Sequence, residues 1–354
     1  MKDMILNETP LRTSVNFNIN DIKINDVSIP SNINKFENLN INYDNSKVRV
    51  EEKVDDYNIT YGLSEALTKS VQKSANNEIK IVIEKKLDEA IFVDFNFDKE
   101  NINLISNIEI VANKDTKATV ILRYECKDEL KCFHNQILKV FANENSNIDI
   151  VIINFMNLNS NNFVTIDNEI YENAKVNYTI IDFGGKNSIT NYYSNLLGKF
   201  SENILNTIYL GSKDQIFDLN YIAHLRGENS NVDIEVEGAL KDTSKKHFKG
   251  TIDFKKGSKK SVGNENESCM LLSDTAKSLS LPMLLCSEED VTGNHASSAG
   301  KIDSKELFYI MSRGLKEKEA IKLMVRAKFN KIIETINSET LKNEILSKID
   351  EKLD

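Results

Sequence analysis

A corner that recurs at a fixed step constrains this chain more than any other feature of its sequence. Glu144-Asn-Ser-Asn-Ile, Glu172-Asn-Ala-Lys-Val and Glu228-Asn-Ser-Asn-Val each precede a run of β-branched and apolar residues. The first two lie 28 positions apart and the third 56 further on, twice that step. Asp115-Thr-Lys-Ala-Thr falls 29 before the first, and Glu202-Asn-Ile-Leu is a weaker copy in the gap. From Ile79 to Cys286, runs such as IKIVIEK, ATVILRYE, IDIVIINF, VNYTIIDF, VDIEVEGAL and SLPMLL show no sustained helical period. A strand-built unit repeating every ~20–50 residues points to a β-solenoid, whose coils bury a continuous core only by stacking. An antiparallel sandwich also has many short strands. Its tight hairpins would want more glycine and proline than the 13 and 3 present. In a solenoid, Asn supplies the left-handed corners instead.

The flanks read differently. Residues 1–75 are irregular, with Asn-rich loop or edge structure from Val15 to Asn45 and one short helix over GLSEALTKSVQKS, Gly62 to Ser74. After Gly300 the pattern turns helical. Asp303 and Glu306 form a capping-box pattern ahead of Leu307, Phe308, Ile310 and Met311, and Gly314 ends that helix. A second helix sets Ala320, Ile321, Met324, Val325, Phe329 and Ile332 on one face. A third follows the Ser338 cap with Leu341, Ile345, Ile349 and Leu353 at steps of four. Each apolar face needs a covering surface, either another helix, the end of the solenoid or a partner.

Composition narrows the function. The 40% hydrophobic and 28% charged content is that of an ordinary globular chain. A net charge of −9 argues against a nucleic-acid binder. Lys245-Lys246 and the run from Lys255 to Lys260 read as solvated turns. No apolar run is long enough for a membrane helix. The opening residues, MKDMILNETPLRTSVNFN, lack the apolar segment of a secretion signal, so cytoplasmic residence is expected.

Four cysteines are too few for a disulfide scaffold. Cys126 and Cys132, with His134 two residues on, are ordinary strand thiols or part of a zinc site. Cys269 and Cys286 are free thiols open to sulfur or metal chemistry, with burial as a small hydrophobe the plainer reading of Cys286. His134 and His224 read as structural hydrogen-bonding residues, and His247 has no assigned role. His295 stands apart, in a Gly/Asn/Ser-rich loop, VTGNHASSAG, ahead of the helices. A neutral imidazole there is a candidate ligand for iron. No GxxxxGK[ST] phosphate loop, nucleophile elbow or HExxH motif occurs, so no catalytic residue is assigned.

The run from His295-Ala296 through LFYIMSRG to Ala320 and Phe329 resembles the C-terminal core of the SufB/SufD family, the scaffold proteins of SUF iron–sulfur cluster assembly. HFKGTIDFKKGSKKSVGNENESCMLLSD resembles the SufD side of that family. Ala296 stands where SufB-type chains carry a Glu ligand. The SufB-type cysteine falls on Glu267 when Leu271 to Asp274 is aligned, with Cys269 two residues later and still on the same strand face. The resemblance therefore implies a SufD-like subunit with a parallel β-helix over 76–300 and an ATPase-docking helical domain over 301–354. It implies a SufB-like partner, a SufC-like ABC-type ATPase and a transient Fe–S cluster shared at the subunit interface, with His295 as a ligand. It also allows a reduced flavin in the complex, and pairing with a second copy of the chain. Candidate docking residues are Leu307, Phe308, Tyr309, Arg313, Gly314, Ile321, Val325 and Phe329. A competing expectation is a β-solenoid enzyme or binding module acting on polysaccharide, with a row of functional side chains along one face.

Overall fold

The computed structural model describes residues 4–13, 18–31 and 33–354. It opens with an antiparallel pair, β1 (Met4–Leu6) and β2 (Ile22–Ile24), then β3 (Leu39–Asn42), β4 (Val48–Glu51) and helix α1 (Glu65–Ser74). The solenoid begins with β5 (Asn77–Ile83), β6 (Ile91–Phe97), β7 (Asn103–Ala112), β8 (Lys117–Cys126), β9 (Phe133–Ala142) and β10 (Asn147–Phe155). It continues with β11 (Asn161–Ile170), β12 (Lys175–Asp182), β13 (Asn187–Leu196), β14 (Glu202–Gly211) and β15 (Ile216–Leu225). Its last strands are β16 (Asn231–Leu240), β17 (Lys245–Phe254), β18 (Ser261–Leu271), β19 (Lys277–Cys286) and β20 (Val291–Lys301). Helices α2 (Ser304–Ser312), α3 (Glu317–Ile333) and α4 (Glu339–Leu353) follow.

From β5 on, each strand pairs in parallel with the second strand after it. Even-numbered strands make one sheet and odd-numbered strands the other, a parallel solenoid of about 8 turns. The repeat is visible in the register: Asn147 lies beside Lys175, and Lys175 beside Glu202. Antiparallel β3 and β4 cover the edges of β6 and β5, which blunts the first coil.

The corners are made as the sequence indicates. Asp115, Asn145, Asn173 and Asn229 all have φ between 54 and 60°. Each backbone N–H there donates to a carbonyl one coil on, as from Asn145 to Glu172 at 3.0 Å. The copy at Glu202 is corrected, because Glu202 already belongs to β14. The left-handed residue of that coil is Phe200, with φ 56°. Corners also stack too closely for a side chain at Gly198, where a Cβ would lie 2.1 Å from the Glu172 nitrogen. Gly198→Ala is expected to destabilise by ~1–3 kcal/mol through overpacking, measured by thermal unfolding.

Parallel sheets are stable when both faces are covered, and that is how this chain uses its flanks. The lumen is filled by one long apolar cluster running from Phe36 and Val48 to Phe254 and Cys269. On the outer face of the odd sheet, Leu6, Ile22 and Ile24 join Leu67 and Val71 of α1 over Ile105, Phe133, Ile137 and Phe163. Ser64 caps α1, within the stretch expected to be helical. Lys249 Nζ donates to the Asn7 carbonyl at 2.8 Å and pins the N-terminal segment down. The loop or edge structure expected from Val15 to Asn45 includes residues 15–17 and 32, which lie outside the described residues.

Helices α3 and α4 cover the even sheet. Val325, Phe329, Leu341, Ile345, Ile349 and Leu353 pack on Ile121, Val151, Ile153, Phe155, Ile181 and Phe183. They lie along the solenoid's flank and pack on each other; of the covering surfaces expected, the end of the solenoid is not the one used. The physical reason is that the outward positions of the middle even strands are themselves apolar and need cover. Ser338 caps α4. At α2 the capping pattern is half realised: Asp303 accepts from the Lys305 N–H at 2.7 Å, while Glu306 returns no bond to the described residues. Gly314, with φ 102°, follows α2. Among the described residues no helix is long and apolar enough to cross a membrane.

Candidate functional site

The last coil has no successor. Strand β20 pairs only with β18, and β19 only with β17, so each leaves one backbone edge open. An open edge is a template for pairing with another chain.

His295 sits in the middle of β20 and is exposed. Its segment is a strand, not the expected loop. Gly, Asn and Ser have poor β-propensity, but pairing with β18 along its full length overrides it. Register then tells which way the imidazole faces. His295 lies beside Glu265, Ser297 beside Glu267 and Ala299 beside Cys269. The three β18 residues are buried. Ser297 Oγ donates to Glu267 Oε2 at 2.8 Å, and a Cβ on Gly293 would meet the Phe254 ring at 3.1 Å. Alternation along the strand thus places His295 on the lumen side, at the solenoid's mouth.

Beneath it the lumen turns polar. Lys246 Nζ donates to Glu267 Oε1 at 2.6 Å and to Ser280 Oγ at 2.9 Å, and Ser280 Oγ donates to Glu267 Oε2 at 2.9 Å. Both charged side chains are fully buried. Burial pulls the Lys246 ammonium below its ordinary range, against the opposing pull of Glu267. Lys246 was expected in a solvated turn. The structure corrects this, because the residue occupies an inward position of β17. Glu265 is only 2% exposed, and neither carboxylate oxygen has a hydrogen-bond partner. Burial, with a smaller push from the Glu267 charge, raises its pKa to about 8.

The cysteines exchange their expected places. Cys269 does share a strand face with Glu267, but that face is the lumen, so the thiol is part of the core rather than an interface. Burial raises its pKa more than the nearby Lys246 lowers it, and a neutral thiol is a poor nucleophile. Cys286 is exposed rather than buried, since no later coil covers it. It lies in register with Phe254, on the lumen side of the open rim.

The docking candidates divide. Phe308 is 72% and Tyr309 58% exposed, and Met311, Leu315 and Leu323 are exposed beside them. The Arg313 guanidinium lies 5.0 Å from the Tyr309 ring centroid and donates to its hydroxyl at 2.9 Å. No α2 residue is buried. Gly314 is exposed and Leu307 and Ile321 are half-buried. Val325 and Phe329 are corrected: both are fully buried in the chain's own flank core, which removes them from any docking surface.

His134 and His224 take structural hydrogen bonds as expected, between His134 Nδ1 and Asn162 Oδ1 at 2.7 Å and between His224 Nδ1 and the Tyr193 hydroxyl at 3.1 Å. His247 Nδ1 lies 3.5 Å from Asp218. Cys126 and Cys132 are buried with sulfurs 3.5 Å apart. Sequence reasoning missed Lys246, Glu265 and Glu267. Their signal was charge at inward-alternating positions of two strands in adjacent coils.

Comparison with known proteins agrees with this architecture. Residues 95–328, well over half of the chain, match the family described as "SUF system FeS cluster assembly, SufBD core domain". The iron–sulfur cluster assembly protein SufD of Bacillus subtilis is 24% identical over 71% of this chain and 58% of its own length. SufD of Escherichia coli is 23% identical over 67% of this chain and 56% of its own length. A SufBD family protein of Pyrococcus horikoshii is 33% identical over 45% of this chain and 35% of its own length. The chain thus spans little more than half the length of the two SufD relatives. The match over residues 95–328, the parallel solenoid and the SufD relatives together assign the chain to the SufB/SufD family of SUF iron–sulfur cluster assembly proteins, as a SufD-like member.

Proposed function

We propose that the chain is a non-catalytic scaffold for iron–sulfur cluster assembly, pairing with a SufB-like subunit through the open end of its solenoid. The observation that carries this reading is the uncovered last coil of a cluster-assembly fold, with His295 presented at its mouth. An unpaired parallel strand beside a polar lumen suits a second chain that continues the sheets. The imidazole then stands at the seam, where it can complete iron coordination alongside thiolates of the partner. Cys286, exposed on the same rim, is the thiol of this chain best placed to join it. The cluster is cargo, formed there and passed on.

ATP-driven work belongs to a SufC-like ATPase held by α2. The exposed Phe308 and Tyr309, with Arg313 stacked on Tyr309, form a compact aromatic and cationic anchor of the kind that dominates binding energy. A polysaccharide-acting solenoid would need a long free sheet face, and here the middle coils of both outer faces are covered by the chain's own segments.

Removing 301–354 is a poor test of docking, because it also uncovers Ile153, Phe155 and Phe183. Phe308→Asp is the cleaner variant. It is expected to weaken ATPase binding by ~2 kcal/mol or more, seen as lost co-purification with an unchanged circular dichroism spectrum. Full retention of the ATPase would contradict the assignment of α2.

A further inference from the structure

Two thiols of this chain face each other at the corner that joins β8 to β9. Cys126 is the last residue of β8, Cys132 stands immediately before β9, and their sulfurs lie 3.5 Å apart. The other two cysteines have no second sulfur within reach: Cys269 is in the lumen core and Cys286 on the exposed rim. Among the described residues no group of three or more His, Cys, Asp or Glu side chains is placed to hold a metal. That sets aside the zinc site at this corner and leaves a dithiol.

Both ends of the pair are fixed. Cys126 is paired in register with Phe97. The Cys132 N–H donates to Ser160 Oγ at 3.3 Å, and its carbonyl accepts from the Asn161 N–H at 2.9 Å. Bonded sulfurs are ~2.05 Å apart, so an approach of ~1.5 Å, which side-chain rotation supplies, closes the bridge. The connecting residues 127–131 are mostly exposed. They are held by Asn157, whose amide donates to the Leu130 carbonyl at 2.9 Å and to Cys126 Sγ at 3.1 Å.

The two thiols are not equivalent. Cys126 borders a cavity of about 800 Å³, together with Phe155, Asn157, Phe183 and Lys352, and Cys132 does not. Cys132 is only 1% exposed. Burial, followed by the opposing charge of Cys126, pushes its thiol up to about 12. An oxidant entering through the cavity therefore meets Cys126 first. Capping Cys126 removes its charge, and with it part of what keeps Cys132 protonated.

We propose that Cys126 and Cys132 form a reversible thiol–disulfide site at the β8–β9 corner, oxidised by small-molecule disulfides. The Cys126 thiolate attacks one sulfur of the oxidant, forming a mixed disulfide and expelling one thiolate. Cys132 then loses its proton and attacks the Cys126 sulfur, and the second thiolate leaves. The protein gives up two electrons, the oxidant is reduced to two thiols, and the two cysteine protons end on them. A dithiol reductant reverses both steps. Intracellular disulfides of this transient kind act in redox sensing. The inference stands on this geometry and is independent of the scaffold reading.

The test incubates the folded, full-length chain with glutathione disulfide, followed by acid quenching, alkylation and peptide mass mapping. Two of the four thiols should be lost, with Cys126 linked to Cys132 and the peptide lighter by two hydrogens. Cys269 should stay open to alkylation, and Cys286 should carry at most a glutathione. Cys132→Ser should trap glutathione on Cys126, whereas Cys126→Ser should leave Cys132 reduced. The parent chain decides the matter even where a variant fails to fold. Cys126 and Cys132 both still alkylated while Cys286 is glutathionylated would overturn the site. So would a link that forms only in denaturant, glutathione left on Cys126 of the parent, or Cys126 joined to any other cysteine. Glutathione on Cys132 in Cys126→Ser would overturn the assignment of Cys126 as the attacking thiol.

Discussion

His295→Ala is expected to abolish iron–sulfur cluster formation in cells while the folded complex still assembles. The separation of the two effects follows from where the residue sits. His295 is exposed on an edge strand, and its ring makes no bond to the described residues. Removing it costs little stability, within ~0.5 kcal/mol for a surface position of this kind. The loss falls on coordination, because alanine has no lone pair to offer and Ala296 beside it has none either. Anaerobic co-expression followed by absorbance of the purified complex checks this. A brown complex equal to the parent's would remove His295 as a ligand.

Phe329→Ala should produce the largest change in stability. Phe329 is fully buried between α3 and the even sheet, with its ring centroid 6.4 Å from that of Phe183. Truncating a buried aromatic costs ~3–5 kcal/mol, part transfer and part cavity. Denaturant unfolding of the chain measures it. The functional consequence reaches further than stability. Under the scaffold reading, α3 links the helix that grips the ATPase to the sheet that ends at the cluster seam. Loosening it should uncouple ATP turnover from cluster formation even where ATPase binding survives. An unfolding free energy within 1 kcal/mol of the parent's would show that the helices are not docked as described.

Much of the fold was legible because its corners have a chemical signature. Asn adopts φ > 0 at low cost, so Asn145, Asn173 and Asn229 mark the step directly. Where Phe200 takes that conformation instead, the signature vanishes, and Glu202 was mistaken for the corner. The three C-terminal helices were readable from periodicity, with caps marking the first and the third. Their placement on the flank was not, since it depends on outward apolar residues of strands far away in sequence, such as Val151 and Ile181.

The site was only half visible for a related reason. His295 stood out as chemistry, but its strand was hidden by residues with little β-preference, held extended by β18. Lys246 looked like surface because charge is ordinarily solvated. The pairing across the lumen with Glu267, at 2.6 Å, and the bond to Ser280 explain its burial. The face of Cys269 followed from its register with Glu267, yet nothing local says whether that face is lumen or interface. Cys286 is apolar in context and would be buried in any earlier coil; being in the last one exposes it.

The central claim is that the open end of the solenoid is the mating surface, and cross-linking from that strand tests it most directly. A photo-reactive residue at Ala296 of β20, co-expressed with the SufB-like subunit and the ATPase, should cross-link to the SufB-like chain. The same residue at Lys114, on an exposed corner far along the solenoid, should not. Cross-linking from Lys114 with none from Ala296 would contradict the account.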